Sequence, residues 1–327
     1  MRNLCIDAWL YPPYCLGMRT ALKSLIQAVE IWTPNKSGCL ELKRGAYGPH
    51  TSFRKASLKA TFAPCEGLPG QVWASRAPQI FTKLGAADGF VRSEAAQEAG
   101  FTAGIGLPVI PRGEVEAVIV LLFATSETLS SVFEIWSPDA VGKLALSTGF
   151  YGGLCEFERL SWQTRFSVLE GLPGQTFDAR RPVLFNDLSR DGGFVRSEAA
   201  AKAGLSAGLG LPMLEGDTAK SAVLLLTSRA NPLAQVIEVW EPRGGALRLS
   251  AGYYGEHGAL ERSSQALLQK GQDLPGEVYE VRFPVLRDLA ESKLPRHRLA
   301  ADAGLETAVG IPIFTKGKVS SVVVLMS

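Results

Sequence analysis

Gly89-Phe90-Val91-Arg92-Ser93-Glu94-Ala95-Ala96 stands again, without a change, at Gly193 to Ala200, 104 positions later. An identical octet at that distance marks a duplicated unit, and the residues around it extend the duplication in both directions. Upstream, Gly67-Leu68-Pro69-Gly70 returns as Gly171-Leu172-Pro173-Gly174 and, loosened, as Asp273-Leu274-Pro275-Gly276. Further upstream, Glu30-Ile31-Trp32, Glu134-Ile135-Trp136 and Glu238-Val239-Trp240 space their Trp residues by 104 and 104, each with Pro two residues on. Downstream, Ala99-Gly100-Phe101 to Gly106-Leu107-Pro108 matches Ala203-Gly204-Leu205 to Gly210-Leu211-Pro212, then Ala303-Gly304-Leu305 to Gly310-Ile311-Pro312. The 327 residues divide accordingly into a tail at 1–21 and three copies at 22–126, 127–230 and 231–327. A period of about a hundred residues lets each copy hold its own core, which a solenoid unit of about 20 to 50 residues cannot do. The third copy has drifted furthest, with Leu294-Pro295-Arg296-His297 in place of Phe-Val-Arg-Ser.

Laid over one another, the copies predict one order of elements. In the second copy an alternating strand at Val132 to Trp136 and a strand at Leu144 to Thr148 make a hairpin ending in Gly-aromatic-Tyr-Gly. An amphipathic segment at Glu156 to Gln163 precedes the Leu-Pro-Gly turn, where Gly permits a positive φ and a short helix opens. A strand at Pro182 to Phe185, an Ala-rich helix at Ser197 to Ala203, and strands at Gly208 to Leu214 and Ser221 to Thr227 complete it. The order β-β-α-α-β-α-β-β predicts an α+β fold, a central antiparallel sheet with helices packed mainly on one face.

Composition narrows the function classes. Lys and Arg total 34 against 32 acids, a net charge of +2, with no block of one sign, which argues against nucleic acid as a partner. The most apolar run, Ala117 to Ala124, is eight residues long, whereas a bilayer-crossing helix needs about 20, so no membrane is expected. The N-terminus lacks the continuous apolar stretch of a signal peptide, and five scattered Cys without a CxxC pair suit a reducing compartment, so a cytoplasmic location is expected.

The run Thr61-Phe62-Ala63-Pro64-Cys65-Glu66-Gly67-Leu68-Pro69-Gly70-Gln71-Val72-Trp73, then Pro78, Phe90-x-Arg92 and Ala99-Gly100-Phe101 into Gly106-Leu107-Pro108, resembles a GAF domain of bacterial and algal sensors. The resemblance covers nearly all of each copy and is weaker in the third, where Asp273 replaces the first Gly. It implies three tandem PAS-related domains, each with a pocket between sheet and helices that binds a small molecule and reports to partners. Many such domains are bracketed by long dimerising helices. Here only Leu22 to Ala28 could form a short one, the copies are joined by about Ser126 to Leu129 and Arg229 to Leu233, and no kinase, cyclase or DNA-binding output segment is expected. Linkers this short bring the last strand of one copy close to the first of the next, within reach of pairing with it. The first strand of copy one and the last of copy three would then meet and close a pseudo-threefold ring.

Three sets of residues recur where a pocket could be. Arg92, Arg196 and Arg296 hold one position; each either clamps a ligand carboxylate or phosphate at a pocket rim or is a helix-surface Arg paired with a neighbouring acid. Tyr47, Tyr151 and Tyr254 end the second strands and either line the pocket or pack in the core with the hydroxyl reaching water. Asp187 and Asp288 stand where copy one has Lys83, which suits a loop cap, with ligand contact open to copies two and three. Trp32, Trp136 and Trp240 read as structural.

An enzyme is the less favoured class. A few GAF proteins reduce free methionine sulfoxide with clustered cysteines, yet Cys65 has Leu169 as its counterpart and reads as a small hydrophobe, and no copy carries two Cys at the family spacing. His50, His257 and His297 show no metal-ligand spacing, and no Walker, GxSxG or HExxH motif is present. The sequence thus predicts a non-enzymatic regulatory module without an output domain. It would bind a small molecule, a protein partner or a second copy of itself, with no metal and with its cofactor, if any, unknown. The alternative is an interaction scaffold whose pockets are filled by their own side chains.

Overall fold

In a computed structural model, which describes residues 24–82, 84, 91–124, 131–189 and 195–327, the first copy runs β1 (Ile26–Pro34), β2 (Leu40–Ala46), α1 (Thr51–Ser57), β3 (Thr61–Phe62), α2 (Gly67–Ser75), β4 (Gln79–Thr82), α3 (Ser93–Glu98), β5 (Ala103–Val109) and β6 (Ala117–Phe123). The second repeats it as β7 (Ser131–Pro138), β8 (Leu144–Phe150), α4 (Cys155–Gln163), β9 (Arg165–Phe166), α5 (Gly171–Ala179), β10 (Val183–Phe185), α6 (Ser197–Lys202), β11 (Ala207–Glu215) and β12 (Thr218–Thr227). The third has β13 (Val236–Arg243), β14 (Ala246–Tyr253), α7 (Gly258–Ser263), α8 (Asp273–Val281), β15 (Val285–Asp288), α9 (Pro295–Asp302), β16 (Thr307–Thr315) and β17 (Lys318–Met326). The fold class is α+β: three separate antiparallel sheets with their helices. The expected tail at 1–21, the linker at 126–129 and Lys83 lie outside the described residues.

Each sheet has the same order. In the first it is β3-β2-β1-β6-β5-β4, and in the third β14-β13-β17-β16-β15. The two-residue strands β3 and β9 were not expected; they pair with β2 and β8 at the sheet edge. In the third copy a single bridge between Leu247 and Leu268 stands in their place.

The apolar run of β6 explains the layering. Val118, Val120 and Leu122 pack toward the helices with Trp32, Phe53 and Leu68, whereas Ala117, Ile119, Leu121 and Phe123 join a second core that draws on all three copies. A strand buried on both faces needs no polar alternation. β12 does the same, with Leu224 and Leu226 toward its helices and Val223 and Leu225 toward the shared core. The three sheets therefore turn their helix-free faces inward around one axis.

Two expectations are corrected. The helix expected over 22–28 is not formed by its described residues, 24–28: Ile26 to Ala28 lie in β1, where alternation sends Val29 and Ile31 to the shared core and Ala28 and Trp32 to the helix side. Nor, among the described residues, do strands pair between copies. The last strand of each copy pairs with its own first strand, β6 with β1, β12 with β7 and β17 with β13, because that hairpin order completes each sheet internally. The copies meet instead edge to side: β4 touches β8, β10 touches β14, and β15 touches β2, so each sheet contacts both others. Arg181 pairs with Glu241 at 2.9 Å across the second of these seams, where Asn186 Nδ2 also donates to the carbonyl of Gly252. Ahead of β1, the amides of Leu25 and Ile26 donate to the carbonyls of Pro232 and Leu233, tying the start of copy one to the segment between copies two and three.

Candidate functional site

Between each sheet and its helices lies the space where a pocket was expected. In copy two it holds Arg196. The residue precedes α6, and its guanidinium reaches inward to Glu134 of β7, Nη1 to Oε1 at 2.6 Å and Nη2 to Oε2 at 2.7 Å. Copy one repeats this bidentate fork with Arg92 on Glu30 at 2.5 and 3.0 Å. Both pairs are buried, with the Glu side chains 0% exposed.

The rest of the cluster satisfies the remaining oxygens. Trp136 Nε1 donates to Glu134 Oε2 at 2.9 Å, and the Tyr151 hydroxyl donates to Oε1 at 2.9 Å. Ser161, near the end of α4, receives a hydrogen bond from Arg196 Nη1 at 2.5 Å and donates its own proton to the carbonyl of Phe157. Trp32, Tyr47 and Ser57 do the same in copy one. Around the guanidinium stand three rings: Trp136, Phe157 and Phe166, with centroids at 5.1, 4.7 and 5.5 Å. Trp32, Phe53 and Phe62 enclose Arg92 at 5.2, 4.5 and 5.4 Å. An aromatic cage of this kind is suited to a cation, and here the cation belongs to the chain.

Local sequence sets up each contact. Glu134 and Trp136 are two apart on a strand and so share a face. The Tyr ring folds back over the strand only because Gly precedes it by two: a Cβ on Gly149 would sit 2.6 Å from the Tyr151 ring, and Gly45 and Gly252 stand equally close to Tyr47 and Tyr254.

Burial alone would raise the carboxyls of Glu30 and Glu134, but the charge and hydrogen bonds of Arg92 and Arg196 outweigh it and hold both below the ordinary carboxylate range. Burial, joined by the neighbouring negative charge, pushes the hydroxyls of Tyr47, Tyr151 and Tyr254 well up, so they remain protonated donors.

Copy three departs in a way that follows from one replacement. Arg296 Nη2 contacts Glu238 and Ser264, while Nη1 faces Asp273 Oδ2 at 3.5 Å. Asp273 occupies the position of Gly67 and Gly171 and keeps their left-handed backbone, φ 55° against 57° and 61°. Its Oδ1 accepts from the amide of Leu274 and lies 2.9 Å from Nε2 of the buried His297. Ser292 Oγ is 2.7 Å from the other ring nitrogen of His297. Burial pushes the Asp273 carboxyl up, and the hydrogen bond with His297 and the charge of Arg296 reverse this to hold it low. The phenyl rings are gone, Leu260 and Leu268 being buried in their place.

The sequence-derived residues are therefore placed as follows. Arg92, Arg196 and Arg296 are buried, neither at a rim nor on a helix surface, because a buried Glu draws the guanidinium inward. Tyr47, Tyr151 and Tyr254 join them, and their hydroxyls meet carboxylates instead of water. Asp187, in the loop after β10, and Asp288, the last residue of β15, stand apart from these clusters and accept from the amides of Ser189 and Ala290; Asp288 also borders a groove between copies one and three, with Arg44 and Arg54. Cys65 is exposed, not a buried hydrophobe, since it sits at a left-handed turn that aims it outward. Glu30, Glu134, Glu238 and the three Ser residues were missed. The signal was present in Glu at every copy of an otherwise apolar strand. Among the described residues, no group of three or more His, Cys, Asp or Glu side chains could hold a metal ion, and no helix is long and apolar enough to cross a membrane.

No protein-family model matches the chain, and no curated protein matches it. Solved structures similar to it include a GAF domain/HD domain protein from Geobacter sulfurreducens, at 14% identity over 30% of this chain and 64% of that one, TM-score 0.26. Another is the GAF domain of a two-component sensor histidine kinase from Bacillus halodurans, at 21% identity over 28% and 63%, TM-score 0.25. A third is a type II free methionine-R-sulfoxide reductase from Thermoplasma acidophilum, at 13% identity over 31% and 63%, TM-score 0.25. The chain spans less than two thirds of the length of each of these.

Proposed function

We propose that this chain is a ring of three GAF-like domains, at 22–126, 127–230 and 231–327, and that it works as a non-enzymatic interaction scaffold in a regulatory setting, holding a protein partner. The motifs of each copy and the repeated strand order support the domain reading. The observation that carries the functional one is the Arg–Glu pair seated in the aromatic cage of copies one and two. The chain's own cation and anion take the place a ligand would occupy, so the interior is spent on fixing helices to sheet and the outer surface is left for recognition.

The test is native mass spectrometry of freshly purified protein together with a thermal-shift screen of nucleotides, amino acids and tetrapyrroles. The scaffold reading expects no adduct and no shift with these classes. A compound that raises the melting temperature, and loses that effect in Arg196→Met, would overturn it in favour of a ligand-binding sensor.

One observation favours a second reading. In copy three, one ring nitrogen of His297 lies 2.7 Å from the Ser292 hydroxyl and the other 2.9 Å from Asp273 Oδ1, a hydroxyl, an imidazole and a carboxylate being the residue types of a nucleophilic hydrolase. A fluorophosphonate probe that labels Ser292 would support it; an unlabelled Ser292 would leave His297 as a packing residue.

A further inference from the structure

Across the first seam, where copies one and two meet, Phe123 of β6 and Phe133 of β7 stand with ring centroids 4.3 Å apart, and Phe150 of β8 stacks on Phe133 at 5.6 Å. Neighbouring rings in this trio lie 31° and 19° from parallel. They close the seam at this point, and Phe123 and Phe133 are fully buried there.

The repeat carries the same positions to the third seam, between copies three and one. Ser327 holds the place of Phe123, while Val29 and Ala46 hold the places of Phe133 and Phe150. The pairing around them is the same: Val29 opposes Ala46 as Phe133 opposes Phe150, and Val309 opposes Leu325 as Ile105 opposes Leu121. The rings are gone, and a groove of about 420 Å³ lies in their stead, with Val29, Ala46, Val309, Leu325 and Ser327 on its wall. That volume falls within the range of about 300 to 1,000 Å³ of small-molecule sites. At the second seam Tyr253, the equivalent of Phe150, keeps a ring at this place.

Protein interiors are filled to the density of organic crystals, and an apolar wall gains by covering itself with a body of matching shape. The first seam displays that body as flat rings set side by side. Charge restricts it further. Among the described residues that line the groove, Glu306 alone has a charged side chain, so an anionic group would meet a like charge and no cation.

We infer that the groove of the third seam binds a small, flat aromatic molecule without an anionic group, which takes the place of the missing phenyl rings. A molecule held there touches copies three and one, the two copies that are not consecutive in the chain, and so ties the ring closed. The site lies outside the cages of the individual copies and goes beyond the scaffold reading. Its failure would leave the filled cages untouched.

The experiment is isothermal titration of the full chain, residues 1–23 included, with 2-naphthol, its saturated counterpart decahydro-2-naphthol, and 2-naphthoate. One 2-naphthol should bind per chain although the fold is threefold, with both analogues severalfold weaker. Ala46→Phe, which returns one ring to the groove, should abolish binding. Should that variant lose its cooperative urea transition, Ser327→Phe, which returns a ring from the opposite wall, should abolish it instead. No binding of 2-naphthol, three molecules bound per chain, an analogue that binds as tightly, or binding that survives in the folded phenylalanine variant would each overturn the inference.

Discussion

Arg196 and Glu134, 62 residues apart in sequence, meet through both arms of the guanidinium at 2.6 and 2.7 Å inside a cage of three aromatic rings. The pair joins the start of α6 to the first strand of its sheet, so a helix that shares few apolar contacts with the sheet is held by charge. Desolvating two ions is expensive, and a buried pair is recovered only when the geometry is good and the spare oxygens are hydrogen-bonded. Trp136 and Tyr151 supply those bonds.

Removing one partner should therefore cost far more than removing both. Arg196→Met leaves Glu134 buried and alone, and should destabilise the protein by about 3 to 5 kcal/mol. Adding Glu134→Leu to it should recover most of that loss. Urea unfolding of the two single variants and the double variant, analysed as a cycle, checks this.

Acid should weaken the fold through the same groups. Because the carboxyls of Glu30 and Glu134 are held below their ordinary value of 4.5, the unfolded chain binds protons first as the pH falls. The stability they contribute is complete above that value and is lost as the pH drops through the folded one. Urea midpoints measured from pH 7 to pH 3 should fall steeply below about pH 4.5.

Alkali should act on the tyrosines. Folded-state values for Tyr47, Tyr151 and Tyr254 lie well above the ordinary 10.0, so stability is complete below that value and is lost as the pH rises beyond it. Of the 7 Tyr in the sequence, these three should give no phenolate absorbance near pH 10 while the protein is folded. All seven should titrate there in denaturant.

How much of this the sequence disclosed depends on which residue is asked. Repetition laid bare the three copies and the longer strands of each, though not the two-residue β3 and β9, because Trp, Pro and Gly recur in register. Glu30 and Glu134 recur just as strictly, but period-2 patterning marks which face a residue shares and not what waits across the core. Their Arg partners come from 62 positions away, at a helix entry. Ser57 and Ser161 carry no motif at all, since a hydroxyl at a helix end is commonplace. The inward sheet faces are visible in Ala117 to Phe123 as a run with no polar alternation, though which surface covers them is a property of three copies together.

Asp273 offers a test confined to copy three. Asp273→Gly keeps the left-handed backbone, which glycine adopts freely, and deletes only the carboxylate shared by Arg296, His297 and the Leu274 amide. A loss of about 1 to 3 kcal/mol is expected in urea unfolding, from the polar groups left unpaired. An unchanged or improved midpoint would mean that the strained Asp was the larger liability.

Solution shape checks the ring. A compact chain of this length has a radius of gyration of about 20 Å, and small-angle scattering should return a value near that. Substituting Arg181 and Asn186 together, which removes the side-chain contacts with Glu241 and Gly252 across one seam, should enlarge it.

The filled cages are tested most directly by hydrogen exchange of arginine side chains, followed by NMR on protein labelled with 15N-arginine. Arg92, Arg196 and Arg296 should give guanidinium protons that persist long after those of the exposed arginines have exchanged, and Glu134→Gln should release the Arg196 signal first. Exchange of every arginine side chain at the solvent rate would place the three guanidinium groups outside the space between sheet and helices and contradict the account.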